Sequence, residues 1–414
     1  MFNFLSVALF LLLIFSSCTK YELESLPKSE LRIDTKSLVS QDELLNVVEL
    51  LTSIEIDKSI MNEVKLGVDN SLKYGLDEEL RFIDMLNPKN SKLQKSITVS
   101  ELINKMSEKL NTSRNLLGSY KSSSDFFDML SKNNVQIYWP YSEDWDGNTL
   151  PTITYNPENG NEDWNYGFVY EKDEQGQIHI DTVIVNDDYI KQYPVWVVNR
   201  NEIDYEDLPN FKSGEYIKNG VIFDQPVNDN GKNTVYPPTW KPETDPNLVY
   251  SFYIQNMRVF KQHDGALAGG SEMVVKCAYP ETVGGMPSPV TILRKNWTRK
   301  EISNSTIKPF TTPLISDWRP EQLQCGLKIL EEDNGSDKNW EFKLGVIIGN
   351  KNYSVDAKIP FNNNDDEIVE TILNRSYINS TANISLPFTT PYWGIWKMYS
   401  ENGIAYSLPI LTNK

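Results

Sequence analysis

The stretch Val135-Gln136-Ile137-Tyr138-Trp139-Pro140 marks the point where the sequence changes from helical to β patterning. β-Branched and aromatic side chains are enriched in strands, and proline, which has no backbone N–H to donate, ends this run. Residues 40–134 repeat apolar side chains at helical spacing, whereas short apolar runs separated by turns fill the chain after residue 135. The sequence therefore predicts an α+β multidomain protein, with an N-terminal helical region followed by β-rich regions.

Capping patterns divide the helical domain, residues 40–134, into several helices. Ser40 with Glu43 and Thr98 with Glu101 form two capping boxes, in which each side chain satisfies a free backbone N–H at a helix start. Ser124 is a further N-cap candidate. The run Leu76–Ile83 is predicted as another short helix, closed by Pro88.

Two β-rich domains are predicted after the helices. Residues 135–246 form a domain with long loops, whose proline-rich end at 224–246 is a connector. Residues 247–414 are predicted as an antiparallel β-sandwich, with a hairpin turn at Asn402-Gly403. The predicted strands are Thr152–Tyr155, Tyr166–Glu171, Ile178–Val185, Pro194–Val198, Val249–Phe260, Glu272–Tyr279, Leu323–Leu330, Trp340–Ile348, Tyr353–Ile359, Trp393–Tyr399 and Ile404–Ile410.

The N-terminus has the pattern of an export signal. Residues 1–15 carry no charged side chain, and the apolar run, at roughly 12 residues, is too short to span a bilayer. Ser16-Ser17-Cys18 follows, and two small residues before a cysteine resemble the lipobox of bacterial lipoproteins. We expect residues 1–17 to be a signal peptide, Cys18 to be lipidated, and residues 18–39 to be a polar tether. An uncleaved anchor or a short buried helix would also fit the apolar run.

Charge and cysteine content narrow the class of partner. The 40 Lys and Arg against 57 Asp and Glu give a net charge of −17, which repels phosphate backbones, so we expect no nucleic-acid partner. Two histidines are too few for a histidine-rich metal site. Cys277 and Cys325 could form one disulfide in an oxidising envelope, or stand as two separately buried thiols.

The loop after the first strand concentrates aromatic and acidic side chains. Ser142, Asp144 and Asp146 place oxygens at alternate positions before Gly147, which resembles the first half of a calcium loop, although Ile153 stands where the bidentate glutamate belongs. An Asx-type turn fits the same residues. The surrounding rings, with the two aspartates, also suggest a ligand-binding platform for sugars. Its candidate residues are Trp139, Tyr141, Asp144, Trp145 and Asp146, together with Trp164.

A set of features resembles uncharacterised cell-envelope lipoproteins of the Bacteroidota. The features are the lipobox, the capped helices, the block Tyr138–Asp146, the run Pro194–Asn199 and the turn Gly269–Glu272. This resemblance implies a protein held by lipid on the outer membrane, facing the periplasm or the cell surface. It implies no activity and no catalytic residues.

Two functions remain open from the sequence. The first is a binding or structural module that presents its surface to a protein or glycan partner. The second is an envelope hydrolase that acts on glycans or peptides through carboxylates, with or without bound calcium. No catalytic residue can be named, because the sequence contains none of the nucleophile or metalloprotease motifs that would identify one.

Overall fold

The computed structural model describes residues 43–88, 91, 99–157, 162–172, 178–201, 217–218, 221–222, 247–281, 290–333, 335–381 and 398–412. The predicted signal peptide, the tether, Ser40, Thr98 and the 224–246 connector lie outside these residues. The described residues from Glu43 onward belong to one compact unit. Helices lie mainly in its N-terminal part and strands dominate the rest, which confirms the predicted α+β fold class.

Five α-helices precede the change at residue 135, and three short ones follow it, among the described residues. They are α1 Glu43–Thr52, α2 Lys58–Lys73, α3 Phe82–Leu86, α4 Glu101–Thr112, α5 Ser123–Lys132, α6 Asp187–Ile190, α7 Arg299–Ser303 and α8 Arg375–Thr381. Ser100 caps α4 by accepting the N–H of Ile103, and Ser122, rather than the predicted Ser124, caps α5. The two starts therefore use a serine near the expected position.

The prediction of a helix over Leu76–Ile83 is wrong up to Arg81. Residues Glu79–Arg81 form strand β1, which pairs antiparallel with strand β2, Val135–Tyr138. Only from Phe82 onward does the chain turn into α3. Pairing with β2 overrides the local helix preference, because the strand gains ladder hydrogen bonds that a short isolated helix lacks.

The first sheet has six strands in the order β1-β2-β6-β3-β4-β5. The remaining members are β3 Thr152–Tyr155, β4 Trp164–Lys172, β5 Ile178–Asn186 and β6 Val195–Arg200. Side chains alternate between its faces, so Trp196 and Val198 join the helices in one core while Val195 and Val197 face the other way. The helices and this sheet thus share a core that crosses the predicted boundary at residues 134 and 135.

The C-terminal region is a predominantly antiparallel sandwich, as predicted. A second six-stranded sheet, β18-β15-β11-β12-β8-β7, packs against a third of four strands, β13-β10-β20-β19, and a fourth of three, β14-β9-β21. The strands are β7 Ile217–Lys218, β8 Val221–Ile222, β9 Tyr250–Phe252, β10 Gln255–Val259, β11 Ser271–Ala278, β12 Val290–Trp297, β13 Ile307–Lys308, β14 Ile315–Trp318, β15 Gln324–Glu331, β18 Asp366–Asn374, β19 Met398–Glu401, β20 Ile404–Ser407 and β21 Ile410–Thr412. Strand β8 is the exception, because it pairs parallel with β12.

Two predicted long strands are each broken into two. The run Val249–Phe260 becomes β9 and β10, and the run Ile404–Ile410 becomes β20 and the start of β21. Proline cannot donate to a ladder, and Pro409 lies at the second break, where its carbonyl accepts the N–H of Tyr253. Both segments therefore cross between the third and the fourth sheet at the same place. The hairpin predicted at Asn402-Gly403 is confirmed, with both residues at positive φ.

A long hairpin covers part of the outer face of the second sheet. Its strands are β16 Asp337–Ile348 and β17 Lys351–Asn362. The Phe342 ring lies so close to Gly326 of β15 that a Cβ there would stand 2.3 Å from it. Lys328 is fully buried nearby, with its Nζ 2.6 Å from the carboxylates of Glu367 and Glu370. Two anions thus compensate the buried ammonium group.

Cys277 and Cys325 are both free thiols in the sandwich core. Of the two alternatives left open by the sequence, the structure has the buried thiols. Burial and the neighbouring Cys277 raise the pKa of the Cys325 thiol well above its usual value.

Among the described helices, none combines the length and the apolar character needed to cross a membrane.

We expect Gly326→Ala to lower the free energy of unfolding by about 1–3 kcal/mol, because the added methyl group overlaps the Phe342 ring. Chemical denaturation of the single variant, of Phe342→Ala and of the double variant measures this coupling. If the glycine substitution has the same effect with and without the ring, the packing described here is contradicted.

Candidate functional site

The predicted aromatic platform is largely part of the first core. Trp139 is 0% exposed, and its ring packs at 5.5 Å from Trp145 and 5.9 Å from Trp196. Trp145 is half-buried and donates from Nε1 to the carbonyl of Thr149. Tyr141 packs against a smaller cluster on the opposite face of the first sheet. The prediction is wrong for Trp139, because a fully buried ring has no face left for a ligand.

The three predicted calcium ligands are each engaged by a different partner. The Ser142 hydroxyl and N–H both donate to Oε1 of Glu78, and Asp144 pairs with Lys300. Asp146 accepts from the backbone N–H groups of Asn148 and Thr149, both at 2.8 Å, which lowers the pKa of its carboxyl. This geometry is the Asx-type turn, the alternative that the sequence left open.

Four exposed apolar side chains lie on the same face of β4 and β5. Trp164, Tyr166, Ile180 and Ile184 have between 39% and 55% of their surface exposed, and we call them the β4–β5 strip. The rings of Trp164 and Tyr166 meet edge to face at 5.7 Å. Ile184 is the cross-strand partner of Tyr166. Exposed apolar side chains grouped in this way are typical of interaction surfaces.

The helices explain why the strip is exposed. Residues 164, 166, 168 and 170 alternate onto one face of β4, together with their partners on β5. Phe168 and Tyr170 pack against the first core, and the Tyr170 hydroxyl donates to the carbonyls of Leu51 and Ile54. The helices thus cover one part of this face, and Trp164 and Tyr166 continue it into solvent. Of the platform residues considered from sequence, Trp164 belongs to this surface.

Strand β5 ends the first sheet. Its nine residues hydrogen-bond to β4 on one side, and the described part of the chain places no strand on the other. Ile180, Asp181, Thr182 and Ile184 are exposed along it. An uncovered strand edge offers backbone N–H and C=O groups to another extended segment.

Buried acidic side chains form a second feature, at the start of β1. Asp77, Glu78 and Glu79 are each no more than 4% exposed. Oδ2 of Asp77 accepts the backbone N–H of Gly270 at 2.6 Å, and Oε1 of Glu78 accepts from Ser142. Burial raises the pKa of all three carboxyls, that of Glu79 to about 8.

Three more carboxylates meet at the adjoining end of the sandwich. One oxygen each from Asp264, Glu272 and Glu331 lies within 4.8 Å of the others. Oε1 of Glu331 accepts the N–H of Glu272 at 3.1 Å. Burial, followed by the charge of Asp264, raises the pKa of Glu331 to about 11. Burial also raises the pKa of Glu272, and the negative charges of four nearby residues add to this effect. They are Asp264, Glu331, Asp77 and Glu79.

Most of these residues could not be identified from the sequence, for physical reasons. Aromatic rings at every second position from Trp164 to Tyr170 were a signal for the strip, but they do not tell which rings the helices cover. Asp77-Glu78-Glu79 was assigned to a helix, where acidic side chains are usually solvated. Nothing local connects residue 77 with residue 270.

Comparison with known proteins adds no assignment. Scans against protein-family models, against curated proteins and against solved structures each found no match.

Alanine substitutions of the buried Trp139 and the exposed Trp164 distinguish a core position from a surface position. We expect Trp139→Ala to lower the free energy of unfolding by about 3–5 kcal/mol, since it empties a core position. Trp164→Ala, which removes one edge-to-face contact, is expected to lower it by about 1 kcal/mol or less. Urea denaturation measures both, and equal losses would contradict the assignment of Trp164 to the surface.

Proposed function

We propose that this protein is a lipid-anchored binding module of the cell envelope, which uses the β4–β5 strip and the outer edge of β5 to bind a protein partner. The observation that carries the proposal is the presence of four exposed apolar side chains on one face of β4 and β5, at a strand edge with which no other described strand pairs. Tyrosine and tryptophan are enriched at protein interfaces, because one side chain supplies a large contact area at low entropy cost.

The geometry of the rings favours a protein over a glycan. The planes of Trp164 and Tyr166 are 86° apart, so the pair does not offer one flat surface on which consecutive sugar rings could stack. Ile180 and Ile184 add aliphatic area without hydrogen-bonding groups. A glycan would leave its hydroxyls unsatisfied against such side chains, whereas apolar side chains of a protein would not.

The edge of β5 indicates how that partner would bind. An extended segment that adds a strand gains backbone hydrogen bonds from the edge, while alternate side chains contact the neighbouring surface. The nine residues of β5 provide an edge long enough for several such bonds. Strand addition therefore uses both properties of the surface, its apolar side chains and its backbone groups.

Lipidation at Cys18 is the other half of the proposal, and the Ser16-Ser17-Cys18 sequence supports it. Acyl chains contribute about 0.8 kcal/mol per buried CH₂, so two or more chains would hold the protein on a membrane almost permanently. The resemblance to Bacteroidota lipoproteins favours the outer membrane, on its periplasmic or its outer side. A tether at residues 18–39 would separate the lipid from the binding surface.

The hydrolase alternative is weakened because most of the acids with raised pKa values at β1 and at the adjoining end of the sandwich are buried, and only Glu272 among them is half-buried. A general acid must reach the bond that it protonates. Asp77, Glu78, Glu79 and Glu331 have raised pKa values, but each is almost completely buried. Their environment fits an internal role better than contact with a polymeric substrate.

Photo-crosslinking tests the binding surface directly. We expect full-length protein carrying a photoreactive benzoylphenylalanine at Ile184 to form a discrete protein adduct in envelopes of the native host, because this side chain faces the partner. The adduct should fall at least about tenfold when Ile180→Lys is added, since a lysine disfavours pairing at a strand edge. Gel mobility and mass spectrometry of the adduct give the result.

The matched control places the same group at Ile348, which is also exposed but lies on the β16–β17 hairpin. Equal adducts at both positions, or no adduct at Ile184, would contradict the proposed surface. Binding on a glycan array that disappears in Trp164→Ala would show a glycan partner instead.

Replacement of the cysteine tests the lipid anchor. We expect the wild-type chain to sediment with membranes and the Cys18→Ser variant to lose this association, since serine cannot form the thioether. Intact-mass measurement should show the added acyl groups only on the wild type. An unmodified full-length wild-type chain in the soluble fraction would refute lipidation.

A further inference from the structure

We propose that Asp264, Glu272 and Glu331 bind one divalent cation of the calcium class, at the end of the sandwich where the buried Asp77 carboxylate accepts the Gly270 N–H. This site is separate from the β4–β5 strip and from the Ser142–Asp146 turn. It goes beyond partner binding, because it concerns a small ion held inside the protein.

The spacing of the three carboxylate oxygens fits a calcium ion. Oxygen ligands of Ca²⁺ lie at about 2.3–2.6 Å, so two oxygens on opposite sides of the ion are up to about 5 Å apart. The three oxygens here lie within 4.8 Å of one another, which allows one central ion to contact all of them. All three are carboxylate oxygens, and hard cations such as Ca²⁺ prefer oxygen ligands to soft sulfur ligands.

Asp77 supplies an independent indication of a ligand. The residue is only 2% exposed, and its Oδ1 has no hydrogen-bond partner. Its Oδ2 accepts from the N–H of Gly270, two residues before Glu272 in the chain. A buried carboxylate oxygen without a partner loses its hydration without compensation, unless a cation or a proton replaces the water.

The absence of a side chain at Gly270 allows Asp77 to take its position. A Cβ on Gly270 would stand 3.1 Å from both oxygens of Asp77 and 2.4 Å from the carbonyl oxygen of Trp297. Only glycine therefore lets the Asp77 carboxylate approach the turn from which Glu272 emerges. Glu79, with Oε1 also unpartnered, is 4% exposed and raises the pKa of Glu272 together with Asp77.

Arg299, the neighbouring cationic side chain, does not neutralise the negative charge of these carboxylates. Arg299 is 3% exposed, and its guanidinium group donates to the carbonyls of Asp264 and Gly265 and pairs with Asp187 at 3.3 Å. Its charge lowers the pKa of Asp77, but its own hydrogen bonds go to these other groups. A divalent ion at about 2.3–2.6 Å from each oxygen would compensate several carboxylates at once.

The site also has access to solvent. Asp264 and Glu272 are half-buried, while Glu331 and Asp77 are buried. An ion could enter from the side of the first two and keep water ligands there, as calcium sites commonly do. Because Asp77 precedes β1 of the first sheet and accepts the N–H of Gly270, two residues before Glu272, the ion would lie close to the contact between these two parts of the fold.

Calorimetric titration of the detergent-solubilised full-length protein, freed of metal with EDTA, tests the proposal. We expect one Ca²⁺ to bind per chain, with a dissociation constant between about 10⁻⁶ and 10⁻³ M. At 100 times that concentration the thermal midpoint should rise by about 3 °C or more, since the ion binds the folded state only. Mg²⁺, which prefers shorter bonds and dehydrates reluctantly, should bind at least about tenfold more weakly.

Isosteric variants locate the ion. Glu331→Gln and Glu272→Gln should each weaken Ca²⁺ binding at least about tenfold, while the metal-free thermal midpoint stays unchanged or rises, because carboxylate repulsion is relieved. That second readout separates loss of a ligand from loss of the fold. Asp356→Asn, on the exposed face of the long hairpin, and the double variant Asp144→Asn with Asp146→Asn are matched controls that should bind as the wild type does.

Three results would overturn the proposal. The first is wild-type protein with neither binding heat nor a midpoint shift up to about 10 mM Ca²⁺, beyond the weakest protein calcium sites. The second is wild-type affinity in both glutamine variants. The third is loss of binding in the Asp144 and Asp146 variant alone, which would return the ion to the turn.

Discussion

The hydrogen bond from the Gly270 N–H to the Asp77 carboxylate is the contact on which the arrangement of the fold depends. It joins the start of the first sheet to the start of β11, across a separation of 193 residues in the chain. Burying a carboxylate is unfavourable unless hydrogen bonds or charges compensate it. The approach of Asp77 to Gly270 is therefore both a constraint on the sequence and a means of fixing how the two parts meet.

Apolar contacts reinforce this joint from the same side. Tyr138, Val195 and Val197 of the first sheet form a small buried cluster with Ala266 and Leu267 of the loop before Gly270. Nearby, Asn199 donates to the carbonyl of Ala268. The first sheet is thus covered by helices on one face and by the sandwich loop on the other. Among the described residues of this sheet, those with exposed large apolar side chains lie on β4 and β5, which is why binding is proposed there.

Much of the fold was predictable from the sequence, because apolar spacing and turn residues are local signals. The change at Val135, the strands at 152–155 and 178–186 and the Asn402-Gly403 hairpin follow from such signals. The strand at 79–81 was not predictable, because its partner is more than 50 residues away and its local sequence favours a helix. The break at Pro409 was visible as a proline, but its effect on sheet order was not.

The site was less predictable than the fold. A tryptophan in a loop is equally compatible with a core and a binding surface, and only the packing of the helices separates Trp139 from Trp164. The calcium ligands predicted at Ser142, Asp144 and Asp146 depended on their spacing in the chain, whereas the carboxylates that do converge come from distant strands and loops. Convergence of this kind is a property of tertiary structure.

Hydrogen exchange at the Gly270 amide tests the central claim, that the Asp77 carboxylate joins the first sheet to the sandwich. Overlapping peptides across residues 266–273, analysed by mass spectrometry, should show this amide exchanging as slowly as its β11 neighbours in the wild type. In Asp77→Ala it should exchange at least about tenfold faster, because its buried acceptor is gone. An exchange rate that is the same in both proteins would contradict the account.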